Sequence, residues 1–221
     1  MRRSAMHLSH PISSVVPGAY GDVLAVLART DVWLSGQRTA SLTRGPTSRR
    51  RVDSVLAELA RSGIAEMREV PPAKTYRLNR AHVAAAAIEA LASQWDTVVD
   101  RIHNELNSWP IGTEAAWIFG SAARGDGHPQ SDIDLLLIRP GITDDDEQQS
   151  WRGQVDALRE SVRAWSGNEL DVLDFTAQEF RQMKDTGELL VEVVMAEAIP
   201  VMGQSVLDVL NDAASVDRSK M

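Results

Sequence analysis

Two apolar runs joined by a short glycine-rich stretch constrain this chain more than any other feature. Ala115-Ala116-Trp117-Ile118-Phe119 leads into Gly120-Ser121-Ala122-Ala123-Arg124-Gly125-Asp126-Gly127, and Ser131-Asp132-Ile133-Asp134 then opens the run Leu135-Leu136-Leu137-Ile138. Short apolar runs bounded by turn residues read as buried strands. The segment is therefore a strand, a turn into a short helix, a Gly-rich loop and a second strand that begins on Asp-x-Asp. Residues i and i+2 of a strand point to one face, about 6.5 to 7 Å apart. Asp132 and Asp134 can thus hold hard cations together while Ile133 turns into the core.

Paired carboxylates working with substrate phosphates are the usual way to bind Mg²⁺, because the ion keeps waters and takes few protein oxygens. Two such ions, about 3.5 to 4 Å apart, can stabilise the attacking and leaving oxygens of an in-line phosphoryl displacement. At Gly120-Ser121 the chain leaves a strand and starts a helix, which exposes amides suited to phosphate. Gly120 lets a triphosphate approach closely, the Ser121 hydroxyl donates to a β- or γ-phosphate oxygen, and Arg124, one turn on, reaches the same charge.

The tandem motif is similar to the G-S-x-x-x-G…S-D-x-D signature of the DNA polymerase β-type nucleotidyltransferases. Within that superfamily it looks most like the minimal and the kanamycin-type nucleotidyltransferases, over roughly residues 111–176. The resemblance implies transfer of a nucleoside monophosphate, AMP first among the candidates, from Mg²⁺-NTP to an acceptor. It also implies a third carboxylate on a neighbouring strand. Glu169-Leu170-Asp171-Val172-Leu173-Asp174-Phe175 carries the candidates. The resemblance favours Asp171, to bind the catalytic metal and help activate the acceptor hydroxyl; by alternation Glu169 shares its face and Asp174 points the other way.

The N-terminal part has a different character. Residues 1–80 hold 13 basic and 6 acidic residues, a charge of +7, while residues 81–221 hold 10 basic and 25 acidic, a charge of −15. Such opposition suggests separate jobs, one of them facing a polyanion. Tyr20, Val23, Leu24 and Leu27 follow helical spacing. A second helix fits Ser35 to Leu42 and is broken by Arg44-Gly45-Pro46. A third runs from Ser48 to Arg61, with Val52, Val55, Leu56 and Leu59 on one face and Ser62-Gly63 at its end. Ile64 to Val70, a Pro71-Pro72 turn and Thr75 to Leu78 form a hairpin.

This order resembles the winged helix-turn-helix of bacterial transcription regulators. Arg49, Arg50 and Arg51 occupy the first turn of the third helix, where the dipole disfavours cations. A recognition helix entering the major groove explains them, with Lys74 and Arg77 on the wing against the phosphate backbone. The competing explanation is a helical scaffold or dimerisation domain with a solvated basic face. Helix-turn-helix proteins are often symmetric dimers, so a homodimer is an open possibility.

Hydrophobic residues at 43% with 24% charged exclude a disordered chain, and the lack of any cysteine excludes disulfide scaffolds, thiolate zinc sites and Cys nucleophiles. No apolar segment approaches the roughly 20 residues that span a bilayer, and the polar start lacks a signal-peptide pattern. A cytoplasmic protein without membrane contact is expected.

The expected architecture is α/β (α+β): a tail over 1–17, a winged helix over 18–80, and a long helix over 81–110 that packs on the acidic half or connects the two. A small mixed-sheet nucleotidyltransferase domain flanked by helices follows over 111–203, then a final helix and tail over 204–221. His128 is read as a solvated loop residue, Asp144 to Glu147 as the acidic start of a helix, and Trp151 and Trp165 as core or interface. The acceptor is a protein, a tRNA or a small molecule, and the resemblance makes a toxin–antitoxin setting plausible. The alternative is a DNA-binding regulator whose second domain senses nucleotide without turnover.

Overall fold

A computed structural model of the chain describes residues 5–43, 45, 47–128 and 130–211. Arg44 and Pro46 of the expected helix-breaking turn, and the expected tail from residue 212 on, lie outside the described residues. The chain divides into two compact units, Ser9–Asp96 and Met1–Leu8 with Thr97–Met221. The fold is mixed α+β, with ten α-helices and two sheets among the described residues. None of these helices is long and apolar enough to cross a membrane.

In the unit Ser9–Asp96, α1 (Ala19–Ala28), β1 (Leu34–Ser35), α2 (Gly36–Leu42) and α3 (Arg49–Arg61) precede the strands β2 (Ala65–Val70) and β3 (Ala73–Leu78). The sheet is antiparallel in the order β1-β3-β2. Hydroxyl caps set both inner helices: Ser35 accepts from the Arg38 N–H and Ser48 from the Arg51 N–H, a bond worth about 1 kcal/mol at a helix start. Val52, Val55, Leu56 and Leu59 of α3 are buried with Val23 and Leu27 of α1. Gly63, at φ 78°, turns the chain from α3 into β2, a conformation that costs glycine little.

Two expectations change here. Part of the expected tail is buried: Ile12 is fully buried in the core of this unit, and His10 pairs with Asp22 at 3.0 Å, both side chains nearly inaccessible. Nor is the stretch 81–109 one helix on the acidic half. It is α4 (Ala85–Ala92) and α5 (Gln94–Asn107), interrupted at Ser93, whose hydroxyl bonds the Glu89 carbonyl. Serine offers the backbone such an alternative to helix propagation. Ala85 and Ile88 of α4 belong to the core built by α1 and α3.

The other unit is built on a sheet of β4 (Ala115–Phe119), β5 (Ile133–Arg139), β6 (Leu170–Thr176) and β7 (Ile199–Gly203), ordered β6-β5-β4-β7. Only β5 and β6 run parallel, and α7 (Asp145–Ser166) makes the crossover between them. Asp144 caps α7, accepting from the Asp146 and Glu147 N–H groups, so the acidic run is a helix start.

One face of this sheet carries the rows Ala115, Ile138, Phe175 and Trp117, Leu136, Leu173. They pack with Phe180 of α8 (Ala177–Asp185), Val191 and Val194 of α9 (Leu189–Glu197), and Val209 of α10 (Val206–Asn211). On the opposite face, Trp151 of α7 donates its indole N–H to Asp174 and meets Trp109 edge-on at 5.3 Å. Trp151 is thereby a core residue.

Leu56 is fully buried, so Leu56→Ala is expected to cost about 2–5 kcal/mol in urea denaturation followed by circular dichroism. A loss below about 1 kcal/mol would contradict the packing described.

Candidate active site

Register places the acidic residues. Asp134 on β5 stands directly opposite Asp171 on the parallel strand β6 and opposite Phe119 on β4. The row Phe119, Asp134, Asp171 thus continues the two apolar rows of the same face, at the end where β4 runs into α6 (Gly120–Arg124). Asp132 precedes β5 by one residue and is exposed, as is Asp171, whereas Asp134 is half-buried. Asp174, paired with Leu137, lies on the opposite face.

Burial pushes the Asp134 carboxyl above its ordinary pKa; the negative charges of Asp171 and Asp132 push the same way, while Arg124 opposes them. A cation among these carboxylates would relieve both the desolvation and the repulsion. Among the described residues no three His, Asp or Glu side chains are gathered into a ready coordination shell. The donor chemistry nevertheless fits a hard ion such as Mg²⁺, which takes one or two carboxylates and completes its shell with waters and substrate phosphates.

Gly120 has φ 70°, and a Cβ there would collide with the Asp134 carboxylate. The glycine is therefore required by the approach of Asp134 as well as by the turn itself, a reason that lies across the sheet. Ser121 is half-buried in the first turn of α6. Arg124 sits between two carboxylates: its Nε donates to Asp126 at 3.2 Å and its Nη1 to Glu197 at 2.9 Å. Glu197 and then Asp126 raise the pKa of the guanidinium.

Two residues of this region escape motif reading. Glu197 closes α9 and accepts from the Gly120 N–H at 2.9 Å. Asn168, 2% exposed, donates to the carbonyls of Ser131 at 3.0 Å and Met6 at 3.2 Å. It thereby anchors the backbone immediately before Asp132. Glu197 ends a helix and Asn168 lies in the loop between α7 and β6, and no local pattern in the sequence names a partner for either.

The basic residues singled out in the other unit lie on α3 and on the β2–β3 hairpin. Arg49, Arg50 and Arg51 are exposed in the first turn of α3. Arg49 pairs with Asp53 at 2.8 Å, and Arg51 lies over the Tyr20 ring. On the hairpin, Lys74 pairs with Glu69 at 3.3 Å and Arg77 with Glu66 at 2.8 Å. Arg77 and Arg68 also flank the Trp33 ring, at 4.7 and 3.9 Å from its centroid. Exposed pairs of this kind hold weakly, so they leave the cations able to change partner.

Because the folded state raises the Asp134 pKa, this group penalises folding above that raised value, and the penalty fades as pH falls through it. Asp134→Asn is therefore expected to melt higher than the native protein at neutral pH without divalent cation, by a margin that shrinks on acidification. It is also expected to lose any rise in Tm that Mg²⁺ gives the native protein. Thermal unfolding from pH 4 to 8, with and without Mg²⁺, tests both statements.

Compared with known proteins, residues 99–184 match the nucleotidyltransferase domain family. No curated protein sequence matches the chain. Among solved structures, a toxin–antitoxin with AMP-PNP is 18% identical, covers 50% of this chain and 77% of its own, and superposes with a TM-score of 0.35. A mutant of the toxin–antitoxin MntA–HpeT is 14% identical, with 50% and 76% covered and a TM-score of 0.35. The matched span takes in β4, the Gly120-Ser121 turn, β5, α7 and β6, so this part of the chain is similar to a nucleotidyltransferase domain.

Proposed function

We propose that this protein transfers a nucleoside monophosphate, AMP in the first instance, from an NTP to an acceptor hydroxyl with the help of Mg²⁺. The observation that carries the reading is the register pair Asp134–Asp171 beside the Gly120 turn. Asp132, Asp134 and Asp171 would hold the metal, which when bound supplies charge neutralisation at the phosphates. Ser121 and Arg124 bind and orient the triphosphate. Asp171, exposed at the edge of the site, takes the proton of the acceptor hydroxyl. The hydroxyl oxygen forms a bond to the α-phosphorus, the α–β bridging bond breaks, and pyrophosphate leaves with that electron pair.

The acceptor is a protein, a tRNA or a small molecule, and the resemblance to minimal nucleotidyltransferases supports a setting in a toxin–antitoxin pair. Incubation with each labelled NTP, Mg²⁺ and host lysate is expected to label one class of acceptor and release pyrophosphate. Asp132→Ala is expected to lower that transfer by at least about a hundredfold. Nucleotide binding with no pyrophosphate release would instead favour the regulator that senses nucleotide.

For the other unit we propose a winged helix that binds double-stranded DNA. The order α1, β1, α2, α3 and hairpin supports it, as do three arginines exposed in the first turn of α3. Replacing Arg49, Arg50 and Arg51 together by Ala is expected to weaken duplex binding and flatten the salt dependence, reducing the slope of log K against log salt by up to about 3. Absence of duplex binding by the full chain at low salt would refute the proposal.

A further inference from the structure

The groups placed to receive a triphosphate are engaged by an anion of the chain itself. The Gly120 N–H donates to Glu197 Oε1, and Arg124 Nη1 donates to both oxygens of that carboxylate, each at 2.9 Å. Asp126 takes the Arg124 Nε at 3.2 Å, so one positive charge is divided between two carboxylates. The two are not equivalent, since the Glu197 side chain is 16% exposed and that of Asp126 is 61% exposed.

The fold around Glu197 adds two influences that oppose a carboxylate there. Glu197 is the last residue of α9, at the negative end of that helix dipole. It also lies close enough to Asp134 for the two charges to oppose each other. A carboxylate largely withdrawn from water needs donors, and the donors that the structure shows for it are the Gly120 N–H and Arg124. Its position is one that accommodates an anion by means of the very groups expected to hold phosphate.

We propose that Glu197 is a built-in competitor of substrate phosphate, holding the Gly120 N–H and Arg124 in the free protein and releasing Arg124 when an NTP binds. This rests on reading Gly120 to Arg124 as the phosphate-binding turn. Nucleotide binding is then an exchange of anions, and the free energy of the Glu197–Arg124 contact is subtracted from the affinity. A ligand gains entry according to the charge that it brings to Arg124. Glu197 therefore lowers the affinity for triphosphates and leaves that for ligands lacking the outer phosphates untouched.

The experiment is calorimetric titration of the full chain, in Mg²⁺, with a non-hydrolysable ATP analogue and with AMP. Glu197→Gln keeps the side-chain volume and can still accept from the Gly120 N–H. It is expected to tighten the analogue about tenfold, the size of one lost charge-assisted bond in a partly exposed site, and to leave AMP unchanged. In an Arg124→Gln background the gain should vanish, which a general structural effect would not reproduce. Glu197→Asp, with a shorter reach to Arg124, should move the same way by a smaller factor and serves if the Gln variant does not fold. Equal or weaker binding of the analogue by Glu197→Gln, with the native protein binding it, overturns this proposal alone. Equal tightening of AMP also overturns it. Failure of native and variant proteins alike to bind the analogue removes the phosphate-binding reading, and this proposal with it.

Discussion

Two like charges set side by side on parallel strands are the constraint from which the rest of the unit built on β4 to β7 follows. Asp134 and Asp171 are register partners on β5 and β6, and like charges directly opposite each other destabilise a sheet. The arrangement is tolerated because Ala115, Trp117, Leu136 and Ile138 in the rows behind it are fully buried and held between the sheet and α8, α9 and α10. The acidic row is thus the exposed end of an apolar face. Sheet stability is generated in the interior, and the repulsion is confined to the edge where a cation and a phosphate can offset it. Local rules broken at one place within an otherwise consistent design mark a functional site.

The same face explains why the end of a distant helix enters the site. Pairing of β7 with β4 brings Ile199 beside Ile118, which delivers Glu197, two residues earlier, to the Gly120 turn. Gly120 then stands between two carboxylates: Glu197 accepts its N–H, and the Asp134 carboxylate fills the space that a side chain would take. Arg124 balances part of this negative charge, with Asp126 on its other flank. The turn is therefore an electrostatic meeting point as well as a chain reversal.

In the Ser9–Asp96 unit the basic surplus is partly spent within the fold. Arg77 and Lys74 answer Glu66 and Glu69 across the hairpin, and Arg49 answers Asp53 one turn along α3. Arg50 and Arg51 stay exposed in the first turn of α3, where the dipole gives no folding advantage to a cation. Trp33, flanked by Arg68 and Arg77, adds an aromatic face to this surface that the spacing of charges did not signal.

Local pattern was enough for much of this molecule. Ser48 caps α3 and Val52, Val55, Leu56 and Leu59 bury one stripe because capping and helical spacing act within a few residues. Asp-x-Asp at the head of an apolar strand likewise announces its own face, since alternation along a strand is a local property. The burial of His10 and Ile12, the interruption at Ser93 and the membership of Ala85 and Ile88 in the N-terminal core were not legible. Each depends on which surface a segment meets, and short apolar spacings fit more than one. Nor could the chain order reveal that Glu197 meets Gly120 across 77 residues of sequence, or that Asn168 steadies Ser131. The sequence by itself determined most of the elements and the chemistry available at the turn. Only the tertiary structure decided which carboxylates share that turn, because strand register and the β4–β7 pairing are long-range choices settled by packing the whole sheet.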